Sequence, residues 1–160
     1  MASKDMFLSQ SIQKPSQLRK ILRELDKVED TISEHRIRGD DQAWDINLSF
    51  SLDELIKNND LKITNREDFN NLKNFLKDLQ TNGKVLHFSF NQSASEMILN
   101  KLIEWLRKNI DPNVLVTTGL NNSLGVGFIL RSTNKYFDFS LGSILRDKRE
   151  LLVKKISEAN

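Results

Sequence analysis

The stretch from Ser123 to Leu141 most constrains what this chain can fold into. Ser123-Leu124-Gly125-Val126-Gly127-Phe128-Ile129-Leu130-Arg131 is an apolar run entered through glycines. After Ser132-Thr133-Asn134 comes Lys135-Tyr136-Phe137-Asp138-Phe139-Ser140-Leu141. Both runs are short, rich in aromatic and aliphatic residues, and bounded by turn formers, which predicts strands. The connection is right for a hairpin of three to five residues. Strands are therefore expected over Val126–Ser132 and Lys135–Phe139.

Two more strands are read upstream. In Lys84–Phe90, Leu86, Phe88 and Phe90 alternate with Val85, His87 and Ser89, the period of a strand. Val114–Thr118 is the other. Between them lies a helix opened by Ser93 or Ser95 and stopped before Pro112, since the residue ahead of a proline avoids helical backbone. Its apolar face is read as Met97, Ile98, Leu102, Trp105 and Leu106, widened by Leu99, Ile103 and Ile110. Ser140 is expected to cap a last helix carrying Ile144, Leu145, Leu151, Leu152 and Ile156. The order is β-α-β-β-β-α.

The region before Lys84 reads as helical. Residues 1–13 show no period and are expected to form a loosely held arm. Pro15 opens the first helix, where its missing N–H costs nothing, and Gly39 is expected to end it. Leu18, Ile21, Leu22, Leu25, Val28 and Ile32 form a narrow stripe on that helix. Such a stripe fits one partner helix, either inside the chain as a hairpin or on another molecule. Trp44 to Phe50 alternates like a strand and runs into a short helix with Ser51 and Glu54 as its capping box. Asn58-Asn59-Asp60 is a turn. Thr64 to Glu67 is a second capping box, and the helix it opens carries Phe69, Leu72, Phe75, Leu76 and Leu79 before Asn82-Gly83. Helices first and a sheet afterwards predict an α+β fold, with a helical region over residues 1–83 and a small mixed-sheet α+β domain over 84–160.

Composition excludes some chemistry. With no cysteine, disulfides, thiolate metal sites and Cys nucleophiles are ruled out. The 24 Lys+Arg stand against 22 Asp+Glu, a net of +2, with both signs interspersed, where a dedicated nucleic-acid binder shows a basic excess. No run approaches the length of a membrane span, and the N-terminus lacks the apolar core of a signal peptide, so a cytoplasmic location is expected. The 160 residues can bury a core unaided.

No catalytic, cofactor-binding or metal-binding constellation emerges. His35 and His87 lack partners at ligand spacing. Ser140, His87 and Asp138 could be drawn as a triad, but no nucleophile-elbow sequence surrounds a serine. Gly125-Val126-Gly127 does not open a helix, so it fails the context of a dinucleotide fingerprint. Gly125 to Leu130 is loosely similar to an RNA-recognition strand, but Val126 and Leu130 stand where stacking rings should be. A small RNA-binding α+β module is the alternative reading. Asp138 and Ser140 are read as cap devices at the head of the last helix.

The C-terminal pattern resembles the delta subunit of F-type ATP synthases, the family of the oligomycin-sensitivity-conferring protein. The resemblance rests on Leu124-Gly125-Val126-Gly127, Phe128–Arg131, Asn134-Lys135, the second strand with Asp138 and Ser140, and the helix after it. Leu124, Gly125, Gly127, Asp138 and Ser140 are its structural signature. Two departures stand out: the glycine pair is split by Val126, and Phe139 replaces the usual glycine. The 83 residues before Lys84 are also fewer than the family's N-terminal helical bundle, as in its shortened, divergent members. The resemblance implies a non-catalytic stator subunit with no cofactor, no small-molecule substrate and no nucleic acid. Its partners would be the ATP synthase alpha and b subunits, and it would meet the inner face of the membrane only through the complex. Leu18, Ile21, Leu22, Leu25, Val28 and Ile32 are the candidate partner-binding residues.

Overall fold

The computed structural model describes residues 6–38 and 47–149. Its elements are α1 (Pro15–Arg38), α2 (Phe50–Asn58), α3 (Arg66–Asn82), β1 (Val85–Phe90), α4 (Glu96–Asn109), β2 (Leu115–Leu120), β3 (Phe128–Arg131), β4 (Tyr136–Asp138) and α5 (Leu141–Asp147). The fold is α+β, N-terminal helices followed by a four-stranded mixed sheet. The chain forms two compact units, Met1–Lys84 with Leu106–Leu115, and Val85–Trp105 with Val116–Asn160. The first unit thus takes back the end of α4 and the turn after it.

In the first unit the α1 stripe is the core. Leu18, Ile21, Leu22, Leu25, Val28 and Ile32 are all buried, in one cluster with Leu52, Leu55, Phe69, Leu72 and Leu76. Each such side chain contributes about 1.5–3 kcal/mol on removal from water. This corrects the reading of the stripe as a partner surface: its helical partners lie within the unit, and α1 packs on α3. Lys73 of α3 bonds both Asp26 (2.7 Å) and Glu29 of α1. The Asp26 bond, then the Glu29 bond, hold the Lys73 pKa above its ordinary value.

The first unit corrects three further expectations. Residues 6–12 are not a loose arm: Leu8 and Ile12 are buried in the same cluster. The α2 cap is Ser49, whose hydroxyl accepts the Leu52 N–H, not Ser51. Ser49 outcompetes Ser51 because Glu24 of α1 takes both its backbone N–H and its hydroxyl at 2.6 Å. Helix starts at Phe50, so the alternating strand-like pattern does not persist there. Likewise Asn65, not Thr64, caps α3, its side chain accepting the Glu67 N–H. An amide two residues upstream reaches that N–H as well as a Thr at three would. Gly39, Trp44, Ile46, Leu151, Leu152 and Ile156 lie outside the described residues.

The second unit is built on the sheet, in the order β2-β1-β3-β4. β1 pairs antiparallel with β3, and β3 with β4. β2 runs parallel to β1: the Leu115 N–H reaches the Lys84 carbonyl and the Asn121 N–H the Phe90 carbonyl, a constant offset. Parallel neighbours need a crossover, and α4 supplies it, with Ser95 at its head, whose carbonyl accepts the Leu99 N–H and whose hydroxyl accepts the Ile98 N–H. The buried face of α4 holds Ile103 and Leu106, while Met97, Ile98, Trp105 and Ile110 are exposed. The expected apolar face therefore mixed two sides of the helix. Ile144 and Leu145 of α5 are also exposed, at 44% and 47%.

Candidate functional site

The signature residues lie on the β3–β4 hairpin and its extensions. The two strands pair Ile129 with Asp138, Leu130 with Phe137 and Arg131 with Tyr136. The same register continues in both directions. At the tip the Ser132 N–H donates to the Lys135 carbonyl at 2.8 Å. At the base the Phe139 N–H donates to Phe128 (2.9 Å) and the Leu141 N–H to Val126 (2.7 Å). The Gly-rich entry is thus part of the ladder.

Gly127 faces Ser140 in that register. It has φ +118, and a Cβ added there would lie 2.3 Å from the Phe139 carbonyl oxygen and 2.7 Å from the Ser140 Cα. Only glycine tolerates both the backbone and the approach. Gly125, by contrast, has open space around it. Leu124 is buried, which anchors the entry.

The last two signature residues are joined at the strand exit. Asp138 Oδ1 accepts the Ser140 N–H at 2.9 Å, and the Ser140 hydroxyl accepts the Ser143 N–H at the head of α5. The Ser140 hydroxyl and then its N–H hold the Asp138 carboxyl below the usual carboxylate range. Arg146 lies 3.8 Å from that carboxylate. Both groups therefore act as expected of cap devices. The triad drawn from Ser140, His87 and Asp138 is not assembled: His87 Nδ1 bonds the Thr117 hydroxyl (2.9 Å), and β3 lies between β1 and β4, a gap of about 9–10 Å.

Around this junction is an open depression of about 620 Å³, lined among others by Val126, Leu141 and Leu145 with Asp138 and Arg146. Beside it runs a row of rings. Phe88, Phe90 and Phe128 lie on one sheet face within 5.7–6.2 Å of one another. Phe128 meets Phe139 at 5.1 Å and Phe139 meets Phe137 at 6.1 Å. Phe88 is 1% exposed, whereas Phe137 and Phe139 are 43% and 46% exposed. The aromatic row therefore starts in the core and ends at the surface. On the opposite face Arg131 sits over the Tyr136 ring, 5.9 Å from its centroid. These surfaces can hold apolar protein segments; aromatic pairs of this geometry add about 0.5–1.5 kcal/mol beyond area.

Among the described residues no cluster of His, Asp and Glu could hold a metal ion, and no helix is long and apolar enough to cross a membrane. Sequence reasoning missed one polar system, in the first unit: Asn59, Arg107 and Asn113, which grip the backbone of residues 6–12. The one signal for it was the spacing of Leu8 and Ile12, four apart.

Comparison of the chain with models of known protein families and with curated proteins gave no match.

Proposed function

We propose that this chain is a non-catalytic stator subunit of an F-type ATP synthase, linking the catalytic head to the b-type stalk. The observation that carries the reading is the hairpin junction. Gly127, Asp138 and Ser140, which resemble part of the delta-subunit signature in sequence, meet at the hairpin base and serve one purpose: Gly127 admits the Phe139–Ser140 backbone, Asp138 holds the Ser140 N–H, and Ser140 caps α5. A resemblance carried by residues that act together is harder to meet by chance than one spread over independent positions.

On this reading the work is done by surfaces. The α1 stripe is internal, so partner contact falls to exposed apolar groups, of which Val126, Phe137, Phe139, Leu141, Ile144 and Leu145 lie on or beside the hairpin and α5. These would take a helix from the b subunit, while the alpha subunit meets another face. The protein would reach the membrane's inner face only as part of the complex, with no cofactor and no small-molecule substrate.

Affinity capture of the tagged full chain from its own cells, with alpha and b subunits read by mass spectrometry, tests this. Recovery of neither subunit under mild cross-linking would sink it. The exposed end of the Phe row favours a second reading, single-stranded RNA stacking on Phe137 and Phe139. It predicts RNA binding at low salt that falls steeply as salt rises, and no mobility shift at low salt removes it.

A further inference from the structure

The N-terminal segment is held in the first unit the way a bound peptide is held. Phe7 is read on one side by Asn59: Oδ1 accepts its N–H at 2.9 Å and Nδ2 donates to its carbonyl at 3.0 Å. Met6 and Leu8 are read on the other side by Asn113: Oδ1 accepts the Leu8 N–H at 2.8 Å and Nδ2 donates to the Met6 carbonyl at 3.2 Å. In an extended chain the N–H and carbonyl of one residue point to one edge and those of its neighbours to the other. The two asparagines thus stand where flanking strands would stand. Arg107 then forks onto the Ser9 carbonyl (2.9 Å) and the Ile12 carbonyl (2.6 Å). Each of these bonds reads backbone. Side-chain selection comes from two aliphatic anchors: Leu8 and Ile12 are buried, at 6% and 0%, whereas Phe7 between the asparagine contacts is 49% exposed.

The grip is built independently of the segment. Asn59 sits at the end of α2, where its Nδ2 also donates to the Leu55 carbonyl at 2.8 Å. Asn113 is set by the turn after α4, where its N–H donates to Asp111 Oδ1 at 2.8 Å, and Lys84 pairs that carboxylate at 3.0 Å. Arg107 is on α4. The segment joins α1 through Gln13 and Lys14, whose N–H groups Gln17 accepts at 2.9 and 2.8 Å.

We propose that this groove is a peptide-binding site filled in cis by residues 6–12, able to take in trans a peptide with aliphatic anchors four residues apart, extended up to the first anchor and turned before the second, as the Ile12 N–H to Ser9 carbonyl bond (3.2 Å) turns the resident segment. The proposal stands apart from the stator reading. A tether of this length presents the resident segment at roughly millimolar effective concentration. A free peptide therefore binds the intact chain weakly, and binds well only when the resident anchors are gone.

The test uses a fluorescent peptide of residues 6–14 and fluorescence anisotropy. Full-length chain carrying Leu8→Ser and Ile12→Ser is expected to bind it at least about tenfold more tightly than the native chain does. Adding Asn113→Ala to that variant is expected to lose most of the gain. If the Leu8/Ile12 variant keeps its helical circular dichroism and does not bind the peptide, the proposal is overturned. If that variant is unfolded, return of the helical signal on adding unlabelled peptide supports the site, and no return overturns it.

Discussion

The Cα of Gly127 is pressed against the peptide between Phe139 and Ser140, so closely that a Cβ would sit 2.3 Å from the Phe139 carbonyl oxygen. Strand entry and strand exit of the hairpin are therefore locked by one residue that must be glycine. Gly127→Ala is expected to destabilise the protein by about 2–4 kcal/mol, from left-handed backbone strain and steric displacement together. Gly125→Ala, made two residues away in open space, is expected to stay within about 0.5 kcal/mol. Urea unfolding of the pair checks this; equal effects would show that the glycines are interchangeable.

The α1 stripe is core. Leu25, fully buried, should cost about 2–5 kcal/mol on truncation to Ala. Leu22→Asp buries an unpaired carboxylate among Leu side chains and should cost more, since no partner compensates it. Loss of helical circular dichroism at room temperature is the expected result. A Leu22→Asp chain as stable as the native one would return the stripe to the surface.

Ser49 and Ser51 separate two accounts of the start of α2. Ser49 caps it and is gripped by Glu24, so Ser49→Ala should cost about 1–2 kcal/mol. Ser51→Ala, inside the helix, should be close to neutral and can even gain slightly from alanine's helix propensity. Thermal unfolding of both variants decides.

Acid acts on Asp138. Its folded pKa lies below the ordinary 3.8, held down by the Ser140 hydroxyl and N–H. A depressed carboxylate stabilises the fold fully above the unfolded value and loses that contribution as pH falls through the folded pKa. NMR titration of the Asp138 carboxyl should therefore give a midpoint below 3.8, and Ser140→Ala should move it upward. Asp138→Asn should flatten the part of the acid stability profile below that pH.

Much of the local structure was legible because its causes are local. Ser140 as a cap, Pro15 as a helix start and the β3–β4 hairpin follow from turn chemistry, period and connection length. The misreadings share one source. Met97, Ile98 and Trp105 carry the right spacing for a buried face, yet they are exposed while Ile103 and Leu106 are buried. Spacing names the residues of a face but not which of two overlapping faces meets a neighbour. Ser49 displaced Ser51 through Glu24, a partner 25 residues away, and no local rule contains that bond.

The same division separates what each level decided. The sequence alone determined the α+β order, the absence of cysteine chemistry and the glycine and cap residues at the hairpin, since backbone preference and composition act residue by residue. Tertiary structure alone decided that the α1 stripe faces inward and that residues 6–12 are gripped by Asn59, Arg107 and Asn113. Both depend on contacts between residues far apart in the chain, and burial and hydrogen bonding across such distances are settled only when the whole unit packs.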